Sequence, residues 1–392
     1  MSDGRIRILQ VITSLAGGAG FHAYQLTRNL DPQRFAVQLV FGPGYPLDAR
    51  VAGERLPHHH VRWTRRLNPI TTIQGALDLV RILRRERADI VHVHCSLAGV
   101  VGRLAARHCG VPHVLFTFHA FASRDYQPAW RKRLFLGIEQ VMDRFTNHYC
   151  VYSRVFRDLI VAKGISTAKR VSLIPLGIEA SDPPTTSARA HARELLGLQT
   201  GELVVAMAGR LEPQKGVVYL LRAFGNVLRR IPAARLLIIG DGPLRGTLER
   251  EASHLGIGHV IRFAGWRNDL EVLLPGIDLF CLPSLWECIP YVLLEAMAAP
   301  IAIVATRVDG VPEYVEEGSC GLLVPPADPG ALSEAIVTLL GDPERRRALA
   351  ATARRRVETA FRQSQMIARY EALYTRVVEA AGTPMVEGGS LG

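Results

Sequence analysis

A chain of 392 residues exceeds what one ordinary hydrophobic core organises, so two domains of ordinary size are expected. With 48% apolar and 21% charged residues the composition is that of a soluble globular protein, and no apolar run approaches the roughly 20 residues of a membrane-spanning helix. Six cysteines with no close CxxC pair argue against a zinc site or a disulfide framework, and the first residues run into "RIRILQVI" without the architecture of a signal peptide, so a cytoplasmic protein with reduced thiols is expected. The formal charge of +11 is uneven: residues 1–178 hold 25 Lys and Arg against 11 Asp and Glu, the remainder 22 against 25. A basic half suits nucleic acid, an anionic membrane face or phosphorylated small molecules; sparse aromatics and the lack of a nucleic-acid motif argue against nucleic acid.

In chain order, short apolar runs alternate with helical patterns. "IRILQVI" (6–12), "AVQLVF" (36–41), "DIVHVH" (89–94), "VLFTF" (114–118), "HYCVY" (148–152) and "RVSLIPL" (170–176) read as buried strands, with amphipathic stretches such as 21–30 and 72–88 between them. His58, His59 and His60 are read as a loop with no partner motif. The Pro-, Ser- and Thr-rich stretch from 179 to 196 reads as a linker passing into a helix. The alternation then restarts with "LVVAMAG" (203–209), "ARLLIIG" (234–240), "VIRFAG" (260–265), "LFCLPS" (279–284) and "IAIVAT" (301–306). Two α/β domains follow, each a doubly wound parallel sheet: 1–178 and 197–364, facing a central cleft where ligands bind at the carboxyl ends of the strands. Residues 365–381 read as a helix with one apolar stripe, covering a core and free to cross back to the first domain. A disordered tail is expected over 382–392. The arginine triplets 345–347 and 354–356 read as a solvated helix face.

In "MAGRLEPQKG" (207–216), Arg210 and Lys215 lie in a turn between a strand and the next helix, which suits a phosphate or diphosphate; two surface cations in a loop is the alternative. "IIGDGPLRG" (238–246) misses the GxGxxG spacing by one residue, so a nicotinamide dinucleotide is not indicated. No P-loop and no Asp-x-Asp pair is present, so no metal is expected and a leaving diphosphate would be met by Arg210, Lys215 and backbone amides. In "SLWECIPYVLLEAMA" (284–298), Glu287 lies in a loop at a strand's carboxyl end and Glu295 inside the following helix. Carboxylates there can accept hydroxyl hydrogen bonds from ribose and hexose rings, with the helix N-terminus between them facing phosphate. The alternative has Glu287 as a cap and Glu295 as a surface residue.

This ordered set, "GRLEPQKG", "GDGPLR", then Glu287 and Glu295 with seven residues between, resembles glycosyltransferase family 4, the retaining nucleotide-sugar transferases of GT-B fold. "LAGGAGFHAYQL", "DIVHVHCSLAGVVGRLAARHCGVP" and "FTFHAF" are similar to the family's first glycine loop, second strand-helix unit and histidine segment, so the likeness runs from about residue 6 to 380. The resemblance implies that Arg210 and Lys215 bind the donor diphosphate, Glu295 the ribose and Glu287 the transferred sugar. It further implies that His119 faces that sugar, that Gly17 and Gly18 admit the diphosphate, and that Ile289, Tyr291 and Val292 line the donor site. By itself a histidine at a strand end is also a common structural residue.

Three positions depart from the family pattern: Cys288 stands where glycine is usual, Gly20 where an acidic residue is common, and Leu176 where asparagine is usual. The implied activity is a metal-independent hexosyl transfer without cofactor, from a nucleotide-sugar donor, UDP-linked by expectation, to a glycan or lipid-linked acceptor in polysaccharide or glycoconjugate synthesis. The implied chemistry is same-face attack assisted by the leaving diphosphate. A sugar-nucleotide epimerase of GT-B type and a non-catalytic basic nucleic-acid or membrane-binding protein are the competing readings. In 128–145, Trp130, Leu134, Ile138, Val141 and Phe145 share one helix face beside Arg131, Lys132 and Arg133; peripheral attachment to an anionic membrane and an ordinary core-facing helix are both open.

Overall fold

The computed structural model describes residues 4–64, 68–119, 128–180, 182–199 and 201–382. The tail 383–392, the "AF" that ends the histidine segment (120–121) and Ser181 of the linker stretch lie outside the described residues. The chain divides into two compact units, one of residues up to Ile174 together with those from Met366 onward, the other Pro175–Gln365.

The first unit is built on β1 (Ile6–Ser14), β2 (Phe35–Gly42), β3 (His58–His60), β4 (Ile90–His94), β5 (His113–Thr117), β6 (His148–Val151) and β7 (Val171–Leu173). All pair in parallel in the order β3-β2-β1-β4-β5-β6-β7. The second holds β8 (Leu203–Ala208), β9 (Ala234–Ile239), β10 (Ile261–Gly265), β11 (Leu279–Leu282), β12 (Ala302–Thr306) and β13 (Leu322–Val324) in the order β10-β9-β8-β11-β12-β13, again parallel. The central strands are fully buried: β4 reads buried at all five positions, as do β11 at four and β12 at five. Helices on both faces account for their continuous apolar sequences.

Three expectations need correction. His58–His60 is not a loop but the edge strand β3, paired with Leu39–Phe41; the His58 ring lies tilted and the His60 ring edge-on against Phe41, which gives a polar triplet a reason to extend. Strand β13 lies in a stretch read as no element; its three residues are extended by pairing with Val304–Thr306 of β12. The arginine triplets are not uniformly solvated. Arg346 donates to Leu339 O and Leu340 O, Arg354 to Ala298 O, and Arg356 to Glu313 O and Tyr314 O, so they satisfy the open carbonyls of neighbouring helix ends and loops.

Within the stretch read as a linker, helix Thr186–Leu195 is capped by the Thr185 side chain and ties into the second unit through Arg189, which bonds Asp278. Helix Gln363–Gly382 buries Met366, Ile367, Tyr370, Leu373 and Tyr374, and its two tyrosines hydrogen-bond Gln10, His22 and His92 of the first unit.

Candidate functional site

Strand order locates the crevices. In the second unit the chain runs outward from β8 to β9 and β10, then returns to the other side of β8 with β11, so the loops after β8 and β11 diverge and open a gap at their carboxyl ends. The loop after β8 carries Gly209, Arg210 and Lys215; the loop after β11 carries Ser284 and Glu287. Gly216 makes the turn into helix Val217–Arg230. Its φ is +59°, and an added Cβ would sit 2.0 Å from Pro283 O, so the first loop lies directly on the second.

Two side chains that the sequence placed 72 residues apart are thereby brought together. Lys215 Nζ lies 2.5 Å from Glu287 Oε1, and Glu287 also accepts from Ser284 Oγ at 2.8 Å and Gln214 Nε2 at 3.3 Å. Its backbone N–H donates to Asp309 Oδ2 at 2.8 Å. Glu287 is only 4% exposed, so a buried carboxylate is held by a cation and two neutral donors. Arg210 pairs with Glu212. The sequence reading assigned these groups separate ligands; in the protein each cation already faces a carboxylate.

Helix Tyr291–Ala298 starts at Pro290 and buries Tyr291, Leu293, Leu294, Ala296, Met297 and Ala298. Val292 and Glu295, three apart, share its less buried face. The Glu295 carboxylate has no hydrogen-bond or ion-pair partner among the described residues, while its carbonyl accepts from Ala299 N–H. Burial, with the Glu271 charge adding to it, lifts its pKa to about 7. The Ile289 and Tyr291 side chains are buried. Cys288 and Leu176 are buried as well, and Leu176 N–H donates to Tyr314 Oη at 2.8 Å.

In the first unit the equivalent gap lies between β1 and β4. Gly17 and Gly18 open helix Gly17–Asn29 beyond β1; Gly17 has φ +65° and no atom within 4 Å of an added Cβ. At Gly20 an added Cβ would meet Leu15 C at 2.3 Å, so the acidic residue common in the family has no room on this backbone. His119 follows β5 and belongs to a buried cluster that the motifs did not single out: His22, His92 and His94, with Gln10, Tyr152, Tyr370 and Tyr374. The signal was present, since "HVH" puts His92 and His94 on one face of a strand. Among the described residues no group of three His, Cys, Asp or Glu is arranged to hold a metal ion.

Helix Ala129–Met142 buries only Met142; Trp130 is 61%, Leu134 52% and Val141 51% exposed, while Ile138 and Phe145 are half-buried, so three of the five stripe residues do not face a core. No described helix is long and apolar enough to cross a membrane.

Two family models match: a glycosyl transferase 4-like domain over residues 17–177 and glycosyl transferases group 1 over 189–356. The chain is 28% identical over 282 residues to the UDP-Gal:alpha-D-GlcNAc-diphosphoundecaprenol alpha-1,3-galactosyltransferase of Escherichia coli, covering 71% of this chain and 73% of that one. It is 26% identical to the MMP alpha-(1->4)-mannosyltransferase of Mycolicibacterium hassiacum, over 92% and 95% of the two chains. Among solved structures, Anabaena HepE in complex with UDP and glucose superposes with a TM-score of 0.83 at 19% identity, over 95% of this chain and 100% of the other.

Proposed function

Because the chain belongs to glycosyltransferase family 4 and has the GT-B fold, we propose that it is a retaining hexosyltransferase taking its sugar from a nucleotide diphosphate donor, UDP-linked by preference. The acceptor is a hydroxyl of a glycan or lipid-linked glycan in cell-surface polysaccharide or glycoconjugate synthesis. The observation that carries this reading is the group at the β8/β11 gap: Lys215 on Glu287, with Glu295 unpaired on the next helix.

In this reading the diphosphate sits over the start of helix Val217–Arg230, against Arg210, Lys215 and nearby N–H groups. Glu295 accepts from the ribose hydroxyls and Glu287 from the transferred sugar. The bond from the anomeric carbon to the diphosphate breaks as the acceptor oxygen bonds that carbon from the same face, and the acceptor's proton passes to the departing phosphate oxygen. No residue then needs to act as nucleophile, and the negative charge that develops is met by Lys215 and Arg210 without a metal. Gly17, Gly18 and His119 serve the same transfer from the first unit.

The test is kinetic. Lys215→Ala and Glu295→Ala should each lower kcat/KM for the donor by about a hundredfold or more, and UDP should raise the melting temperature of the wild type but not of Lys215→Ala. Unchanged kinetics in both variants removes the assignment. Chelator-insensitive turnover is expected, and its abolition by chelator would remove the metal-free mechanism.

We also propose that the exposed stripe of helix Ala129–Met142, beside Arg131, Lys132 and Arg133, attaches the first unit to an anionic membrane face that presents the acceptor. Exposed tryptophan and leucine next to three cations favour that surface over bulk water.

A further inference from the structure

Beneath His119 runs a chain of buried polar groups whose directions can be worked out atom by atom. Gln10 on β1 lies beside His92 on β4 in register, and both are fully buried, as is His94 two residues on. Gln10 Oε1 is 2.8 Å from His94 Nε2. A carbonyl oxygen only accepts, so His94 carries its proton on Nε2 and leaves Nδ1 as an acceptor. His119 Nε2, 2.9 Å from that Nδ1, is therefore the donor, and His119 Nδ1 accepts from the Tyr152 hydroxyl at 3.1 Å.

The other arm starts from the same amide. Gln10 Nε2 donates to Tyr374 Oη at 3.0 Å, the Tyr374 hydroxyl donates to His92 Nδ1 at 2.7 Å, and His92 Nε2 donates to Thr117 Oγ1 at 2.7 Å.

We propose that Gln10 and His94 are positioning residues for His119: one buried amide sets three imidazoles, His92, His94 and His119, in the Nε2–H form and holds the His119 ring neutral with both nitrogens engaged. This rests on the reading that His119 serves the sugar transfer. A ring so held keeps a fixed orientation and adds no positive charge near an anomeric carbon that itself becomes cationic as the donor bond breaks. The groups around it are of the same kind. His22 from helix Gly17–Asn29, His92 and His94 from β4, Cys150 from β6, Tyr152 beyond it, and Tyr370 and Tyr374 from the C-terminal helix face the cluster, with Arg376 acting on Cys150. Burial draws His92 and His119 down to about 3, which agrees with neutral rings.

Long-range proton-nitrogen NMR on the full-length wild type labelled at histidine reads the tautomers directly, with His92→Gln, His94→Gln and His119→Gln giving the assignments. All three rings should be Nε2–H and uncharged from about pH 6 to 8. An Nδ1–H signal, or an imidazolium in that range, from any of the three overturns the proposal. In kinetics, Gln10→Leu should lower kcat about tenfold and leave donor KM within about twofold, and the His94 and His119 rings should no longer be held wholly in the Nε2–H form. A Gln10→Leu enzyme with wild-type kcat and wild-type tautomers also overturns it. His119→Ala separates the two claims, because full turnover there would withdraw His119 from the transfer while leaving the measured tautomers as they are.

Discussion

Glu295 is a carboxyl group kept where its charge is costly: on a half-buried helix face, with no partner among the described residues and with Glu271 nearby. Its ordinary value is 4.5 and its folded value about 7, so the native state holds this proton more tightly than the unfolded chain does. The favourable contribution is complete below the unfolded value and disappears as pH rises through about 7. Glu295→Gln should therefore leave stability nearly unchanged at pH 4, raise it by about 3 kcal/mol at pH 8, and still lose donor turnover. Thermal unfolding of both proteins at the two pH values checks this; an equal shift at both, or no gain at pH 8, counts against it. Such a trade is expected of a group kept for a ligand instead of the fold. The spacing of Glu287 and Glu295 was legible in the sequence because both lie on one strand-to-helix junction. The Lys215–Glu287 pair was not, because it depends on β8 and β11 becoming neighbours, which no local pattern encodes.

Elements carry the next consequences. The turn at Gly216 joins the 3-10 turn Pro213–Lys215 to helix Val217–Arg230 and lies against Pro283. Gly216→Ala adds a methyl group 2.0 Å from Pro283 O at a positive φ, so the two loops must separate. A loss of about 2 kcal/mol or more is expected, with a rise in donor KM because Lys215 moves with the turn. Gly246→Ala, where the nearest atom to the new Cβ is the end of a flexible arginine at 3.6 Å, is the control. Equal behaviour of the two variants would contradict the argument. For the helix Ala129–Met142, vesicle cosedimentation should show binding to anionic but not neutral lipid, weakened by salt, and Trp130→Glu with Leu134→Glu should abolish it. Indifference to lipid charge, or binding that survives both substitutions, defeats the membrane reading. Eleven of the strands were read from apolar runs within a few residues of their ends. The two that were missed, β3 and β13, have three residues each, and only neighbouring strands make them extended.

At the scale of the whole molecule, the chain leaves the first unit near residue 174, builds the second, and contributes its last described helix to the first. That helix supplies five buried apolar or aromatic side chains, and its Tyr374 bonds both Gln10 and His92. Ending the chain at Gln365 would uncover Phe35, whose ring packs on Tyr374, and remove one hydrogen-bond partner from each of Gln10, His22 and His92. At roughly 1–3 kcal/mol for each orphaned polar group and about 2 kcal/mol for each large apolar side chain removed, the sum exceeds what a domain of this size can lose. The second unit keeps its own core, from Val205 and Met207 to Leu349, whose members all lie before the cut. Hydrogen exchange on the shortened protein should therefore find β1, β4 and β5 unprotected while β8, β11 and β12 keep their protection. UDP should still slow exchange around Lys215 and Glu295 if donor binding resides in the second unit alone. Retained protection in β1 and β4 would mean the helix is an accessory to the first unit, and loss of protection in both units would mean the two cores do not stand independently.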